Sequence, residues 1–296
     1  MNQQSLPEYD DNNRQTLPER MFFPVKSVNK KKLAEAVTGK TILITGASFG
    51  IGAMLAGILS DFKVTLILVA RTTERLEQLK SDFANKPCTT HVFITDLRDE
   101  LQINILIEDL SSLQLSIDIF INNAGKSIYR GLEASLDRFH DTKRCAATNY
   151  TGPVQLLLGI LPGMKERKGH IINVSALNVL LPPTAGWSAY QSSKAAFDQW
   201  LRCMEPELRI SGVYVSTAYL PLVRTRMSMV NENKHHQPAM SKAKAVNCIL
   251  CLIINKKRKY KPWWVGIPVV LNTVFPSLWY QLQLRNLKKR GGHAVH

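Results

Sequence analysis

Six short apolar runs, rich in β-branched residues, constrain this chain more than any other feature of its sequence. The runs are TILITG, VTLILVA, HVFITD, IDIFINNAG, GHIINVS and VYVSTAYL, and helical stretches separate them. Apolar runs of about six residues without alternation are typical of strands covered on both faces, and helices between them imply right-handed crossovers. The pattern predicts an α/β fold with a doubly wound parallel sheet.

The remaining segments predict one domain with appendages. Residues 1–37 are rich in Asn, Gln, Pro and charge, and we interpret them as a flexible N-terminal arm docked by residues 21–25. We expect a dinucleotide-binding and catalytic domain over 38–228. A substrate lid and a helix capped by Ser241 should follow over 229–262, and a basic, apolar C-terminal extension over 263–296.

The five cysteines are too few and too scattered for a disulfide framework, which favours reduced thiols and a cytoplasmic location. Cys248 and Cys251 form a lone CxxC pair. Without a second pair or a histidine cluster we interpret them as small core residues of a helix, and we expect no metal site. The start of the sequence is polar and acidic, so we expect no secretory signal.

A glycine-rich turn follows the first predicted strand. In TGASFGIG the spacing is GxxxGxG, and the next residues read as a helix. A strand, a glycine turn and a helix start together build a pyrophosphate site from backbone N–H groups. The candidate cofactor-binding residues here are Gly46, Ser48, Gly50, Ile51 and Gly52; a purely structural turn is the alternative.

The end of the second strand carries Arg71, with Arg75 one helical turn later. An acidic residue at this position would bond the ribose hydroxyls of NAD, whereas a guanidinium binds a 2′-phosphate. The sequence therefore favours NADP(H) over NAD(H). The alternative is that Arg71 only faces solvent, and Phe49, where a basic residue would strengthen the prediction, adds nothing.

Four motifs together resemble the short-chain dehydrogenase/reductase (SDR) family over residues 38–228: TGASFGIG, NNAG at 122–125, NYTG around Asn149, and YQSSK from Tyr190 to Lys194. The resemblance implies a single-domain Rossmann-type fold, nicotinamide-dependent hydride transfer and a homo-oligomer. Within the family, NNAGKSIYRGLEASLDRFHD, NYTGPVQLLLGILPGMK, SAYQSSKAAFDQWLRCMEPEL and YLPLVRTRM are similar to bacterial fatty acyl-CoA reductases.

The resemblance also implies residue roles. Asp96 would contact the adenine, Asn123, Ala124 and Gly125 would line the cofactor, and Asn149 would hold a water in a proton relay. Pro221 is a further cofactor contact, although Pro221-Leu222 replaces the more common Pro-Gly pair.

Tyr190 and Lys194 have the spacing that carbonyl reduction needs. Tyrosine can protonate the carbonyl oxygen, but an ordinary phenol pKa of about 10 is poorly matched to neutral pH. A lysine four residues later shares the helix face, so its charge should lower that pKa, and it can bond the nicotinamide ribose.

The substrate-orienting serine of the family is harder to place. It usually lies thirteen residues before the tyrosine, which is Leu177 here; aligning NVSA with the family pattern puts Ala176 there instead. Ser175 is the remaining candidate, and it takes the role only if the PP-containing loop absorbs two residues. Asn178, Thr184 and Ser188 are other donors that could compensate.

The C-terminal extension is uncharged from 263 to 284 and flanked by KKRKYK and RNLKKR; residues 255–296 hold nine Lys or Arg and no Asp or Glu. Pro268 and Pro276 interrupt it, so an interfacial anchor on anionic membrane fits better than a membrane span. Packing on the protein itself or on a second subunit is an equal alternative. No nucleic-acid-binding module is recognisable, so we expect no nucleic-acid partner.

The sequence thus predicts an NADP(H)-dependent oxidoreductase that reduces a lipophilic carbonyl, with long-chain acyl-CoA or fatty aldehyde implied by the resemblance. One alternative is a ketone or 3-oxoacyl reductase, or an alcohol dehydrogenase. Another, motivated by Ala176, is a cofactor-binding protein with little catalysis that serves as a membrane-bound sensor or scaffold.

Overall fold

A computed structural model describes residues 17–25, 27–229 and 238–289 of the 296-residue chain. Its centre is a seven-stranded parallel sheet in the order β3-β2-β1-β4-β5-β6-β7. The strands are β1 (Thr41–Thr45), β2 (Thr65–Ala70), β3 (Thr89–Ile94), β4 (Ile119–Asn122), β5 (His170–Ala176), β6 (Tyr214–Leu220) and β7 (Lys259–Tyr260). The doubly wound sheet is confirmed. The first six strands overlap the six predicted runs, whereas the two-residue β7 was not predicted.

The helices of the described chain follow the same alternation. They are α1 (Leu17–Phe22), α2 (Lys30–Val37), α3 (Gly50–Leu59), α4 (Thr73–Asp82), α5 (Glu100–Ser112), α6 (Phe139–Ala146), α7 (Gly152–Glu166), α8 (Ser188–Ile210), α9 (Arg226–Met229), α10 (Lys242–Asn255), α11 (Gly266–Val274) and α12 (Pro276–Lys289).

Two apolar layers cover the sheet. Residues of α2, α3, α4 and α10 form one continuous core with one face of the sheet. Residues of α5, α7 and α8 form the other, with Leu43, Phe120 and Ile171 of the strands. Nearly every residue of β1, β2, β4, β5 and β6 is buried, which explains why these strands read as unbroken apolar runs.

Part of the predicted flexible arm is folded onto the protein. Leu33 and Val37 of α2 are buried in the same core as α10, and Phe23 joins them. Glu19 of α1 is buried, bonds the backbone N–H of Ala239 and forms an ion pair with Arg224. These contacts fix a segment that its polar composition had suggested to be mobile. Residues 1–16 of the predicted arm lie outside the described residues.

The segment after β6 is only partly the predicted lid. The backbone of 222–224 pairs with Met240, and Ser241 caps α10 by accepting a hydrogen bond from the Lys244 N–H, as predicted. Helix α10 is a core helix, and it carries the CxxC pair with Cys248 buried. Most of the predicted lid, residues 230–237, lies outside the described residues.

The C-terminal extension is helical. Pro268 lies in the first turn of α11, where a missing N–H costs nothing, so it does not interrupt the segment. The break comes at Phe275, immediately before Pro276 starts α12. Within the described residues, no helix is both long and apolar enough to cross a bilayer.

Candidate active site

The carboxyl ends of the parallel strands bring the predicted site residues to one edge of the sheet. The glycine turn follows β1, Arg71 follows β2, Asp96 lies just after β3, Asn123 follows β4 and Pro221 follows β6. Ligands of open parallel sheets bind at this edge. Tyr190 and Lys194 reach it from α8, which packs on the same side of the sheet as α7.

The glycine turn is packed too closely against neighbouring backbone to accept side chains. Gly46 has φ of +66°, and a Cβ there would lie 2.9 Å from the Ala124 Cα. A Cβ on Gly52 would lie 2.2 Å from the Gly46 carbonyl oxygen. Helix α3 begins here without a side-chain cap on its first N–H groups. A narrow cradle with uncapped backbone donors fits the pyrophosphate of a dinucleotide.

Thr45 and Asn123 connect the two loops of this cradle, the glycine turn after β1 and the loop after β4, by hydrogen bonds. The Thr45 hydroxyl, fully buried at the end of β1, accepts hydrogen bonds from the N–H groups of Asn123 and Ala124 at 3.0 and 3.1 Å. The Asn123 amide donates to the carbonyls of Thr45 and Gly46 at 3.0 and 3.2 Å. Asn123 therefore shapes the cradle through its side chain. Sequence reasoning missed Thr45, because a threonine inside a strand carries no signal.

Basic side chains gather at the end of the cradle nearest β2 and β3. Arg71, largely exposed, lies 3.8 Å from Asp96, which also holds Arg98 in a forked pair. Burial alone would raise the pKa of Asp96, but the Arg98 hydrogen bonds and nearby charge lower it below its ordinary value. The Asp96 carboxylate is therefore charged at neutral pH, and it offsets part of the positive charge of Arg71 and Arg98.

Phe49 organises two further arginines, although sequence reasoning assigned it no role. The guanidinium groups of Arg75 and Arg226 lie 5.8 and 5.1 Å from the centre of its ring. Arg75 also donates from Nε to the Ser48 carbonyl at 3.3 Å. An aromatic face holds guanidinium groups by cation–π attraction. Phe49 is uncharged, but it contributes positive charge to this part of the site indirectly, because its ring holds Arg75 and Arg226.

Asn149 sits in a single π-helical turn, Ala147–Thr151, between α6 and α7. Such turns often mark functional positions. Its Nδ2 donates to the Lys126 carbonyl and to the Ser193 hydroxyl, both at 2.9 Å, and its Oδ1 accepts from the Lys126 N–H at 2.8 Å. Both amide protons are used, so any water held by this side chain would have to donate to Oδ1.

Lys194 and Asn149 converge on Gly125. A Cβ at Gly125 would lie 3.4 Å from Lys194 Nζ and 3.5 Å from Asn149 Oδ1. The Lys194 ammonium donates to the Val174 carbonyl of β5 at 3.2 Å. Burial lowers the pKa of Lys194 to about 8. The glycine of NNAG therefore leaves room for a ligand beside a buried amine.

The expected lowering of the Tyr190 pKa does not occur. Burial, and then the charge of Cys145, raise the pKa of Tyr190 to about 12, and Lys194 is not among the causes. The spacing of four correctly places both residues on one helix face. The pKa rises because burial removes the phenolate from water, which disfavours the charged form.

Ser175 is a buried hydroxyl without a hydrogen-bond partner in the described chain. It pairs in register with Tyr219 of β6, whose hydroxyl donates to Asp198 of α8 at 2.8 Å. Because side chains in register share a face, Ser175 points towards α8, the helix of Tyr190 and Lys194. Ala176, the next residue of the strand, points to the other face, and Leu177 is buried in an apolar cluster with Tyr219 and Val265.

The other candidate donors are less available. Thr184 donates its hydroxyl to the Pro182 carbonyl at 3.3 Å, and Ser188 is exposed at the start of α8. The Asn178 Oδ1 is buried and unbonded, but an amide oxygen only accepts, so this residue could donate only through its Nδ2. Gln191, unnoticed in the sequence, fixes this loop by donating to the carbonyl of Asn178 at 2.6 Å.

A cluster of arginines lies beside a small pocket next to Tyr190. The buried carboxylate of Asp141 is bonded by Arg130 at 2.9 Å and Arg138 at 3.1 Å, with Arg144 at 3.7 Å. Each arginine is about one third to two fifths exposed. Arg130, Arg138 and Asp141 line the pocket with Ser188 and Ala189, the residues before Tyr190. The Asp141 carboxylate cannot neutralise both Arg130 and Arg138, so these lining residues carry a net positive charge.

Two curated relatives are similar to this chain in sequence. A fatty acyl-CoA reductase of Acinetobacter baylyi is 39% identical over 236 residues, which are 78% of this chain and 80% of that protein. A fatty acyl-CoA reductase of Mycobacterium tuberculosis is 40% identical over 210 residues, 71% of each chain.

Solved structures share the fold. A metagenomic short-chain oxidoreductase in complex with NADP has a TM-score of 0.62 at 25% identity, covering 74% of this chain and 92% of that chain. A Sphingobium yanoikuyae short-chain dehydrogenase in complex with NADPH has a TM-score of 0.70 at 24% identity, covering 81% and 95%. The family described as short chain dehydrogenase matches residues 40–236. The chain is therefore an enzyme of the short-chain dehydrogenase/reductase family, an oxidoreductase close in sequence to fatty acyl-CoA reductases.

Proposed function

We propose that this enzyme uses NADPH to reduce a long-chain acyl-CoA to the fatty aldehyde, releasing the CoA thiol, with fatty aldehyde as a second substrate. The observation that carries the proposal is the convergence of Lys194 and Asn149 on Gly125, with Tyr190 one turn before Lys194 on the same helix. The names of the two curated relatives supply the substrate class.

In this proposal the cofactor, when bound, supplies a hydride to the carbonyl carbon. Tyr190 protonates the carbonyl oxygen, and the buried Lys194 ammonium stabilises the negative charge that the phenolate then carries. For a thioester, Tyr190 takes the hydroxyl proton back as the carbon–sulfur bond breaks. The aldehyde forms, and the CoA thiolate leaves and takes one proton from solvent to become the thiol. Ser175 donates to the carbonyl oxygen, because its hydroxyl is buried, unbonded and on the α8 face.

The preference for NADPH rests on charge. Arg71 and Arg75 lie at the adenosine end of the cradle, with Arg226 added through Phe49. A 2′-phosphate gains charge-assisted hydrogen bonds from guanidinium groups, and NADH cannot make them. Asp96 weakens the preference for NADPH, because its negative charge pairs with Arg98 and lies close to Arg71.

The arginine cluster around Asp141 favours acyl-CoA over free aldehyde. Its surplus positive charge lies on the rim of a pocket that begins two residues before Tyr190. CoA carries phosphate groups at the far end of a thioester, whereas a fatty aldehyde carries none, so only the thioester gains from this charge.

The test is NADPH oxidation by the purified enzyme with palmitoyl-CoA, with the corresponding aldehyde and with a ketone panel. We expect turnover with the first two, loss of turnover in Tyr190→Phe, and unchanged NADPH binding in that variant. Tight NADPH binding without turnover on any carbonyl would instead support a cofactor-binding protein with little catalysis. Turnover confined to ketones would contradict the proposed substrate.

The role of the arginines is tested with Arg138→Gln and Arg144→Gln. We expect a rise of about tenfold in KM for palmitoyl-CoA, with little change for the aldehyde, because only the thioester has phosphate groups to lose. Lys165→Gln, a loss of positive charge near the end of α7, is the control. Equal effects on both substrates would contradict the assignment.

The proposal places the enzyme in the cytoplasm with peripheral membrane contact, where a lipophilic substrate is available. The C-terminal extension and the basic cluster before it support that contact, since residues 255–296 contain nine Lys or Arg and no Asp or Glu.

A further inference from the structure

Helix α11 presents its apolar side to solvent. Ile267, Val270, Leu271 and Val274 are spaced three, four and seven residues apart, which places them on one face of the helix. Their side chains are between 48% and 61% exposed. The opposite side of the segment packs on the protein through Val265 and Val269. A surface helix normally buries its apolar stripe, so an exposed stripe of this kind indicates a partner.

Helix α12 is attached through polar contacts and keeps apolar residues outside. Trp279 Nε1 donates to the Pro183 carbonyl at 3.0 Å, and Gln283 bonds both that carbonyl and the Ala185 N–H. Leu278 and Leu282, four residues apart on one face, are 55% and 43% exposed, and Arg285 continues that face. Polar contacts therefore hold one side of α12 against residues 183 and 185, while Leu278 and Leu282 are exposed to solvent.

The exposed apolar surface extends to α1. Trp263 and Trp264 donate from their indole nitrogens to the carbonyls of Met21 and Phe22, at 3.4 and 3.2 Å. Phe22 packs edge-on against the Trp264 ring, with centroids 6.3 Å apart. We call the whole surface the anchor face and define it by Met21, Phe22, Trp263, Ile267, Val270, Leu271, Val274, Phe275, Leu278 and Leu282.

The positive charge around the anchor face favours an anionic membrane over a second copy of this chain as its partner. The sequence from 255 to 296 contains no Asp or Glu, and basic clusters stand on both sides of the uncharged segment. A symmetric contact with a second copy would bring the same cationic segment against itself, which is repulsive. An anionic bilayer surface attracts juxtamembrane basic residues, and tryptophans favour the headgroup region.

We propose that the anchor face docks this enzyme on the surface of an anionic membrane, with α11 and α12 lying in the interface. The nine residues of α11 and fourteen of α12 are about 14 and 21 Å long at helical rise, short of the hydrocarbon core of about 30 Å. Their length and their exposed apolar sides suit helices that lie along the surface.

Docking would orient the active site towards the bilayer. The buried side of the extension, Val265 and Val269, packs in one cluster with residues 177–181, and α12 bonds residues 183 and 185. This is the loop that leads into Tyr190. The membrane surface would therefore lie next to the substrate loop, although the docking itself does not depend on which substrate is used.

The test is flotation of the full-length protein with vesicles of phosphatidylcholine alone, or with about one quarter phosphatidylglycerol. We expect co-flotation with the anionic vesicles, weakened by salt. The double variant Ile267→Gln/Val270→Gln should bind about tenfold more weakly, because it loses two inserted aliphatic side chains. The matched control is Ile210→Gln, an aliphatic residue that is 88% exposed at the far end of α8.

Oligomeric mass by light scattering is measured on the same samples. The proposal is supported if the double variant loses flotation while the control keeps it and the masses stay equal. It is overturned if the wild-type protein does not float with anionic vesicles, or if the double variant floats as well as the wild type. A double variant that floats normally but changes its mass would assign the anchor face to a second copy. Arg285→Gln/Lys288→Gln, which leaves the apolar residues intact, should also weaken binding to anionic vesicles.

Discussion

Lys194 donates a hydrogen bond from Nζ to the main-chain oxygen of Val174, 3.2 Å away. This bond ties α8 to β5 directly beside Ser175, and it holds the ammonium group where water is excluded. Val174 itself belongs to the apolar core on the opposite face of the sheet, so the lysine reaches the backbone of the strand and not its side chain. This contact therefore links the catalytic helix directly to the strand that bears Ser175.

The pH dependence of reduction should report on this lysine. Because burial lowers the pKa of Lys194 to about 8, the ammonium loses its proton above that pH, whereas Tyr190, with its pKa raised to about 12, stays protonated. We expect the rate of NADPH-dependent reduction to fall as pH rises through about 8. A stopped-flow or steady-state pH profile measures this, and a rate that stays flat to about pH 10 would contradict it.

Replacing Lys194 should stabilise the protein while abolishing its activity. The folded-state pKa lies below the ordinary value of 10.5, so the unfolded chain binds the proton more tightly and the charged lysine costs stability at neutral pH. We expect Lys194→Met to raise the free energy of unfolding by about 1–3 kcal/mol at pH 7, and by less near pH 10. Urea unfolding at both pH values measures the difference. An equal gain at both would mean that packing, and not charge, is responsible.

Ser175 should be important for catalysis, although it lies two residues before Leu177, the position where the family usually has its serine. If its hydroxyl donates to the substrate oxygen, Ser175→Ala removes an oxyanion donor and should lower kcat by about 100-fold without changing NADPH affinity. Ala176→Ser is the comparison, since that side chain points to the other face of β5, and it should leave kcat within a few-fold. The reverse ranking of the two variants would place the donor at position 176.

Cofactor preference should respond to Arg71. Arg71→Gln removes a largely exposed guanidinium at the end of β2, and we expect NADPH to bind about tenfold more weakly while NADH binding changes little. Isothermal titration with each cofactor measures the ratio. Arg209→Gln, which removes a guanidinium stacked on Tyr214 away from the site, is the control. Equal losses for both cofactors would mean that Arg71 acts on the fold.

Acid should destabilise the sheet through His170. This buried histidine lies 2.8 Å from the Ser216 hydroxyl, which donates to the Lys257 carbonyl at 2.6 Å, so the imidazole Nε2 must donate to the serine. Burial, and then the charge of Lys256, lower the pKa of His170 to about 4. Between that value and the ordinary 6.5 the unfolded state takes up the proton, so stability falls as pH falls.

We expect His170 to account for a loss of about 2 kcal/mol between pH 7 and pH 5. Urea unfolding at the two pH values measures it. His170→Gln should show a smaller loss between the same pH values, even if it is less stable at both. A loss of the same size in the variant would assign the acid sensitivity to other groups.

The sequence determined the sheet, the glycine cradle and the Tyr190–Lys194 face, because strand runs, tight turns and helix spacing are local properties. Tertiary structure decided the rest. The pKa of Tyr190 rises because α8 is covered, Phe49 gathers Arg75 and Arg226 from separate segments, and Ser175 faces α8 because of its register with Tyr219. Part of the N-terminal arm is ordered by Glu19 bonding residues more than two hundred positions away. Burial, register and contacts between distant segments depend on the whole chain, so no local pattern could carry them.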